Sequence, residues 1–428
     1  MRLRRFLISE PMAVAHVIRQ SLDHRSRDVG GVIPEVRGRR FTAMAAEGSA
    51  PVRLRDVVVQ WGRIGITGFG GPPTHIALLR KLCVQQRGWL SATEFEDAIA
   101  ACNALPGPAS TQLAIFCAWS VAGAVGAVVG GVAFIVPGLV IILALASAFL
   151  ASTPPGWMLG AAAGAGAAVA AVAVQAGVHL VPASWGRAAV RWRWTVYALV
   201  GGVSAATVGP WLVVAIIGCG FIELGVRRAG GSDRLQVHAW PLFLGAAVAG
   251  AGSTLALAWT ALKVGALSFG GGFVIIPLMQ NDAVHRYHWL TNSQFLGAVA
   301  LGQITPGPVT QTVAVVGYGA AGLAGGLLAA LIAFSPSFIF VLFGARHFSV
   351  LRTNPRVRAF LDGAGPAAIG AIIGVAVPLV LALREAWQFG VLAAAAIALL
   401  ALRRGVVVTL LLAAFAGVVA NHLGAPMP

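Results

Sequence analysis

Long apolar stretches, interrupted by short polar segments and by glycine- and proline-containing breaks, run through most of the chain. They fall near residues 57 to 72, 98 to 129, 131 to 150, 157 to 181, 194 to 208 and 210 to 226. A polar linker from Arg227 to His238 and a short run, 239 to 253, come next. The series then starts again at 255 to 272, 296 to 327, 328 to 346, 363 to 383, 387 to 402 and 405 to 422. Several runs approach the ~20 residues a helix needs to cross ~30 Å of hydrocarbon, and the shorter ones come as hairpin pairs. The pattern predicts an all-α polytopic membrane protein. Two runs are broken at the same motif, Pro106-Gly107-Pro108 and Pro306-Gly307-Pro308.

The second series repeats the first. Shifting residues 63 to 112 by 200 positions without a gap matches fifteen of fifty, with Phe69-Gly70-Gly71, Trp89-Leu90 and the whole Pro-Gly-Pro in one register. Shared composition alone does not align such motifs, so the chain is read as a tandem duplication of a bundle of about six helices. Loop charge orients the halves. Ser152 to Gly156 carries no charge and the next loop carries Arg187, Arg191 and Arg193. In the second half the order is swapped: the loop corresponding to Ser152 to Gly156 holds Arg346, Arg352, Arg356 and Arg358, and the next offsets Arg384 with Glu385. Equivalent loops therefore face opposite sides, as in an inverted-topology repeat with broken helices at each Pro-Gly-Pro. Six crossings per half plus the run 239 to 253 make about 13, with the N-terminus cytoplasmic and the C-terminus periplasmic. The expected organisation is a basic cytoplasmic tail over 1–55, a first repeat over 56–226, a linker with a short helix over 227–253 and a second, inverted repeat over 254–428. Arg80, Lys81 and Arg87 pull the other way, because they would lie outside unless their segment dips back into the protein.

Composition strengthens the membrane reading: 58% of residues are hydrophobic and 10% charged, too few polar groups to cover a water-facing surface. The formal charge of +16 sits in the leader and in short loops, as cytoplasmic loop bias places it, and this speaks against a nucleic-acid partner. Cys83, Cys102, Cys117 and Cys219 are scattered without a CxxC pair, so they read as packing residues and no metal or cofactor is expected.

The residues that carry chemistry recur in pairs. Arg63 and Lys263 each place a cation inside an apolar helix, where it either snorkels or faces a partner or hydrated path. Related by a pseudo-twofold axis, both could point at one anion. Phe69-Gly70-Gly71-Pro72 and Phe269-Gly270-Gly271-Gly272 follow, ending a helix in a tight turn or releasing backbone amides at depth. Next to each Pro-Gly-Pro lie Ser110, Thr111 and Gln112, or Thr310 and Gln311, at a new helix start whose dipole and free N–H groups suit an anion. His75 is a candidate for anion or proton binding, or for packing. Glu94 and Asp97 head the helix before the first Pro-Gly-Pro, as helix caps or as protonatable coupling groups; Asp282, Glu223 and Asp362 are placed at interfacial helix ends.

Phe-Gly-Gly-Pro-x-x-His (69 to 75), Arg80, Trp89-Leu90, Leu-Pro-Gly-Pro-x-Ser (105 to 110), Lys-x-Gly-x-x-x-Phe-Gly-Gly-Gly (263 to 272) and the second Pro-Gly-Pro resemble the chromate ion transporter family in its long, two-domain form. The resemblance covers roughly residues 55 to 424. It implies export of chromate across the bacterial inner membrane, driven by the membrane potential or a proton gradient, with chromate resistance as the outcome and a proposed link to sulfate. Where many members have Gln before the first Leu-Pro-Gly-Pro, this chain has Asn103, with Gln303 in the second half. A passive anion channel would share these features; an intramembrane enzyme is disfavoured because no HExxH or GxSxG is present. The glycine- and alanine-rich helices 157 to 181 and 363 to 383 offer faces for a homodimer in the lipid bilayer.

Overall fold

The computed structural model describes residues 52–207 apart from Pro106, then 212–229, 253–268, 274–345 and 354–428. The basic leader, nearly all of the run 239 to 253 and the segment Phe269 to Gly272 lie outside the described residues.

Every regular element among the described residues is helical. The first half comprises α1 (Leu54–Thr67), α2 (Pro72–Arg80, widened into a π-helical turn over Lys81–Gln86), α3 (Ala92–Ala104), α4 (Ala109–Phe149), α5 (Gly156–Arg187), α6 (Arg191–Thr207) and α7 (Leu212–Ala229). The second half has the same order: α8 (Ser253–Leu267), α9 (Ile275–Gln280, with a π-helical turn over Asn281–Arg286), α10 (Asn292–Ile304), a 3-10 turn (Val309–Gln311) leading into α11 (Thr312–Gly344), then α12 (Pro355–Gly374), α13 (Ala376–Leu381), α14 (Ala386–Ala396) and α15 (Val406–His422). Local chemistry matches too. Ser91 and Glu94 form a capping box at the start of α3, and Thr291 and Gln294 form one at the start of α10.

Four helical stretches are long and apolar enough to cross a membrane: Ala109–Phe149, Gly156–Arg187, Val309–Gly344 and Pro355–Leu381. The first and third are hairpins. α4 breaks at Ala122 and Gly123, and the second half breaks at Ala321 and Gly322. Gly123 and Gly322 have φ of +65° and +60°, where a side chain would be strained. At each break the chain turns back on itself, so that Ala118 packs on Gly126 and Gly130, and Gly317 packs on Gly325.

The chain also reverses at Pro-Gly-Pro. Gly302 of α10 lies directly beside Thr312, and Gly319 lies beside Trp289 and Leu290, so the segments flanking the motif run antiparallel. α1 and α2 form a similar hairpin around Gly68 to Gly71: His75 returns to the carbonyl of Gly68, and Trp89 stacks on Trp61 with ring centroids 6.1 Å apart. The runs 57 to 72 and 98 to 129 thus contain arms of hairpins that double back, where a straight helix and a broken one were expected. Hydropathy registers apolar length but cannot see a reversal built from glycine and proline. The dip also resolves the misplaced charges, because Arg80, Lys81 and Arg87 return to the end at which α1 begins.

The long arms of α4 and α11 cross antiparallel, with Gly131 against Phe338 and Leu143 against Gly326. Around them the halves interleave. Gly160 and Gly164 of α5 pack on Gly417 of α15, and Gly201 and Gly202 of α6 pack on Ala367 and Gly370 of α12. Close approach of this kind is how helices associate where apolar burial supplies no drive between them. Most of the small-residue faces of 157 to 181 and 363 to 383 are thus filled within one chain.

Candidate anion site at the hairpin tips

The hairpin tips converge about half-way along the long arms. α1 packs along the long arm of α4, with Gly65 against Phe134, and the chain turns immediately afterwards. Gly138 of the same arm contacts the carbonyl of Pro306 and the side chain of Gln311 from the other half. The halves join directly at Gly307, whose N–H donates to the carbonyl of Gly68 at 3.1 Å. His75 Nε2 donates to the same oxygen at 2.9 Å. A carbonyl can only accept, so Nε2 carries a hydrogen; in the neutral ring this leaves Nδ1 to accept from the Ser110 hydroxyl, 3.4 Å away. The ring meets Phe134 edge-on and is fully buried. In the second half Ser268 faces Thr310 across 3.4 Å.

The tip glycines are required by their backbone. Gly107 and Gly307 have φ of +118° and +103°, and a Cβ on Gly107 would lie 3.3 Å from the carbonyl of Gly265 in α8. Pro108 caps α4, and its carbonyl accepts the N–H groups of Thr111 and Gln112, both at 3.0 Å. The earlier amides, of Ala109 and Ser110, have no intrahelical acceptor and carry the positive end of the dipole. Val309 and Thr310 repeat this in the second half, where Gln311 N–H is taken by Pro308 at 2.9 Å.

Around these helix starts Ser110, Thr111, Gln112, Gln303, Thr310 and Gln311 are all buried. Gln311 Nε2 donates to the carbonyl of Ile135 at 2.8 Å. Its Oε1 and, elsewhere in the buried interior, Thr111 Oγ1, Gln303 Nε2 and Ser337 Oγ have no hydrogen-bond partner among the described residues. Each such group in a dry interior costs about 1–3 kcal/mol, so those beside the helix starts, Thr111 and Gln311, suit a polar occupant.

Other expected residues are distributed differently. Asn103, Phe69 and Gly70 are exposed, and Gly71 is buried against Val309. Pro106, Phe269, Gly270, Gly271 and Gly272 lie outside the described residues. Arg63 is on the exposed face of α1, five residues and about 7 Å of helix rise before Gly68. Lys263 is ion-paired with Asp282, which also accepts from Thr260 Oγ1 at 2.8 Å. Glu94 is exposed and serves as a helix cap, and Asp97 is half-buried. Asp282 and Glu223, expected at interfacial helix ends, are both enclosed by protein. Asp282 is only 2% exposed, and Glu223 is buried among Arg193, Tyr197 and Arg227 at 2.7–3.1 Å. Arg227 stands one helical turn from Glu223, but Arg193 and Tyr197, like the Lys263 and Thr260 partners of Asp282, lie 19 to 30 residues away on another helix, out of reach of a spacing argument.

The sequence profile of the chromate transporter family matches this chain twice, over residues 55–224 and 255–418. The chain belongs to the chromate transporter family. It is 32% identical over 355 residues to a chromate transport protein of Cupriavidus metallidurans, spanning 79% of this chain and 86% of that protein. A chromate transport protein of Pseudomonas aeruginosa is 29% identical over 342 residues, 75% of this chain and 80% of its own. An uncharacterized transporter of Methanocaldococcus jannaschii is 25% identical over 344 residues, 75% and 83%. No solved structure matches. The two stretches matched by the chromate transporter profile each contain one Pro-Gly-Pro tip, and the linker lies between them.

Proposed function

We propose that this protein is a secondary transporter that moves chromate across the bacterial inner membrane, binding the dianion where the tips of the two halves meet. The observation that carries this reading is the Gly307–Gly68 junction: two helix starts, one from each half, are brought to one buried place lined by unpartnered polar groups. Chromate is a tetrahedral dianion and needs converging donors in a low-dielectric setting. The Ala109, Ser110, Val309 and Thr310 amides, the hydroxyls of Ser110, Thr111 and Thr310, and the amide of Gln303 are of the right kind. Arg63 and Lys263 flank the site and raise its potential. Sulfate has the same shape and charge and competes for the same groups.

The antiparallel crossing of the long arms of α4 and α11 supports an inverted repeat. The end that carries Arg53, Arg80, Arg191, Arg227 and Arg356 is assigned to the cytoplasm by its basic residues, and the loop 150 to 155 with the C-terminus to the periplasm. Export fits an anion site reached from the basic end and emptied with the membrane potential, inside negative.

The test is uptake of labelled chromate into inside-out vesicles, with and without an imposed proton gradient, and with sulfate as competitor. Saturable uptake with counterflow supports a transporter; conductance without counterflow would assign a channel. Uptake of neither oxyanion above empty vesicles overturns the reading.

A further inference from the structure

The two halves bury their hairpins unequally. α10 packs along α5 and α15, with Gly166 of α5 seated on Leu296 and Gly297, and residues 295 to 300 are all buried. Its counterpart α3, among the described residues, makes more than isolated contacts only with α4. Glu96, Ala100 and Asn103, on successive turns of α3, are exposed, as are Pro73, Ala77 and Arg80 on α2. Arg80 and Glu96 bridge the two helices at 2.8 Å with side chains 46% and 52% exposed.

The same difference shows from the other side. Gly-Ala-Gly occurs at 164–166 in α5 and at 363–365 in α12. Gly164 and Gly363 are both packed, on Ala413 and Gly417 and on Cys219 and Glu223 respectively. Gly166 is packed as well, whereas Gly365 has nothing within 4 Å of where a Cβ would stand. The bundle of α6, α7 and α12 is thus intact, and among the described residues the α12 face that corresponds to the α5–α10 contact lacks its neighbour. The exposed path on α3 leads from the Arg80–Glu96 pair at the basic end to Asn103 beside the tip.

We propose that this is the cytoplasm-facing state of the transport cycle, and that the cleft closes by seating Gly365 of α12 on Glu96 and Asp97 of α3. The inference rests on the transport reading and adds the moving contact. In the periplasm-facing state the roles exchange: α3 closes on α12 while α10 parts from α5. The two contacts differ in charge, since Leu296 and Gly297 are neutral where Glu96 and Asp97 are acids. Closing on the cytoplasmic side moves two carboxylates into a helix contact, where the charged form is disfavoured unless paired or protonated. Arg80 from α2 faces Glu96, Glu94 stands one turn before them, and α12 brings Arg358 and Asp362, the latter held by Arg227 at 2.8 Å.

The experiment uses full-length protein in inside-out vesicles. The pair Glu96→Cys with Gly365→Cys should cross-link under mild oxidation, stop transport, and recover with reductant; the native cysteines are buried. Asn103→Cys should react with a membrane-impermeant maleimide from the cytoplasmic side and lose that reactivity once the pair is closed. Gly365→Leu has room in the open state, so it should fold normally and keep Asn103→Cys reactive while transport falls at least tenfold. Adding Asp97→Asn should speed cross-linking about tenfold, the equivalent of one pH unit. A transporting protein in which the pair never cross-links, or in which Gly365→Leu transports normally, overturns the proposal; unchanged cross-linking with Asp97→Asn removes the carboxylates from the contact. Cross-linking and labelling are read on the protein itself, so normal behaviour there with no chromate flux would count against the transport reading alone.

Discussion

Asp282 offers the sharpest test of the packing inside the second half. Its carboxylate is buried, accepts a hydrogen bond from Thr260 at 2.8 Å and pairs with Lys263, whose side chain is 19% exposed. In Asp282→Asn the ammonium of Lys263 loses its counter-charge but stays in the same low-dielectric place. Breaking a buried pair from one side costs roughly 3–5 kcal/mol, whereas replacing both partners with apolar groups is often close to neutral. Leu82 occupies the equivalent position in the first half, so Asp282→Leu combined with Lys263→Met imitates a packing the fold already contains. At about 2 °C per kcal/mol for a large domain, Asp282→Asn should lower the melting temperature by ~6–10 °C, and the double variant by less than half of that. The assay is thermal unfolding of the detergent-solubilised protein followed by size-exclusion profile. Wild-type stability in Asp282→Asn, or a double variant as unstable as the sum of its parts, would refute the ion-pair account. Transport by the stable double variant then asks separately whether the Lys263 charge serves the anion.

Gly307→Ala should lose most chromate uptake, since a side chain at φ +103° costs ~1–3 kcal/mol and the displaced amide would release Gly68; vesicle uptake at matched protein abundance checks it. Ser110→Val should weaken chromate binding by at least tenfold while His75→Gln, which can still donate to Gly68, should retain more activity; competition by unlabelled chromate reads both. Reporters fused after Arg191 and Arg356 should read cytoplasmic and those at Pro155 and the C-terminus periplasmic, and equal readings at Pro155 and Arg356 would end the inverted repeat. The purified particle should have a monomeric mass once detergent is subtracted, because the glycine faces that would serve a dimer are filled by Gly417, Ala198 and Gly202.

Helix content, the two-fold series of elements and the identity of the tip residues were legible in the chain itself, because they depend on local quantities. Apolar run length, the missing N–H of proline and the freedom of glycine at φ near +100° act within a few residues. Loop charge was legible for the same reason, and it even flagged Arg80, Lys81 and Arg87 as out of place. What the chain could not reveal by itself was direction. A glycine or proline break permits a kink or a reversal equally well, and only packing chooses: Gly302 against Thr312 and Trp89 against Trp61 make these breaks reversals. Partners distant in sequence were invisible for the same reason. The burial of Asp282 and Glu223 shows only when Lys263 and Arg193 are brought to them from other helices. The meeting of Gly307 with Gly68, and the empty place beside Gly365, are properties of two halves packed against each other. The motifs shared by those halves left the asymmetry between them to be decided by the tertiary structure.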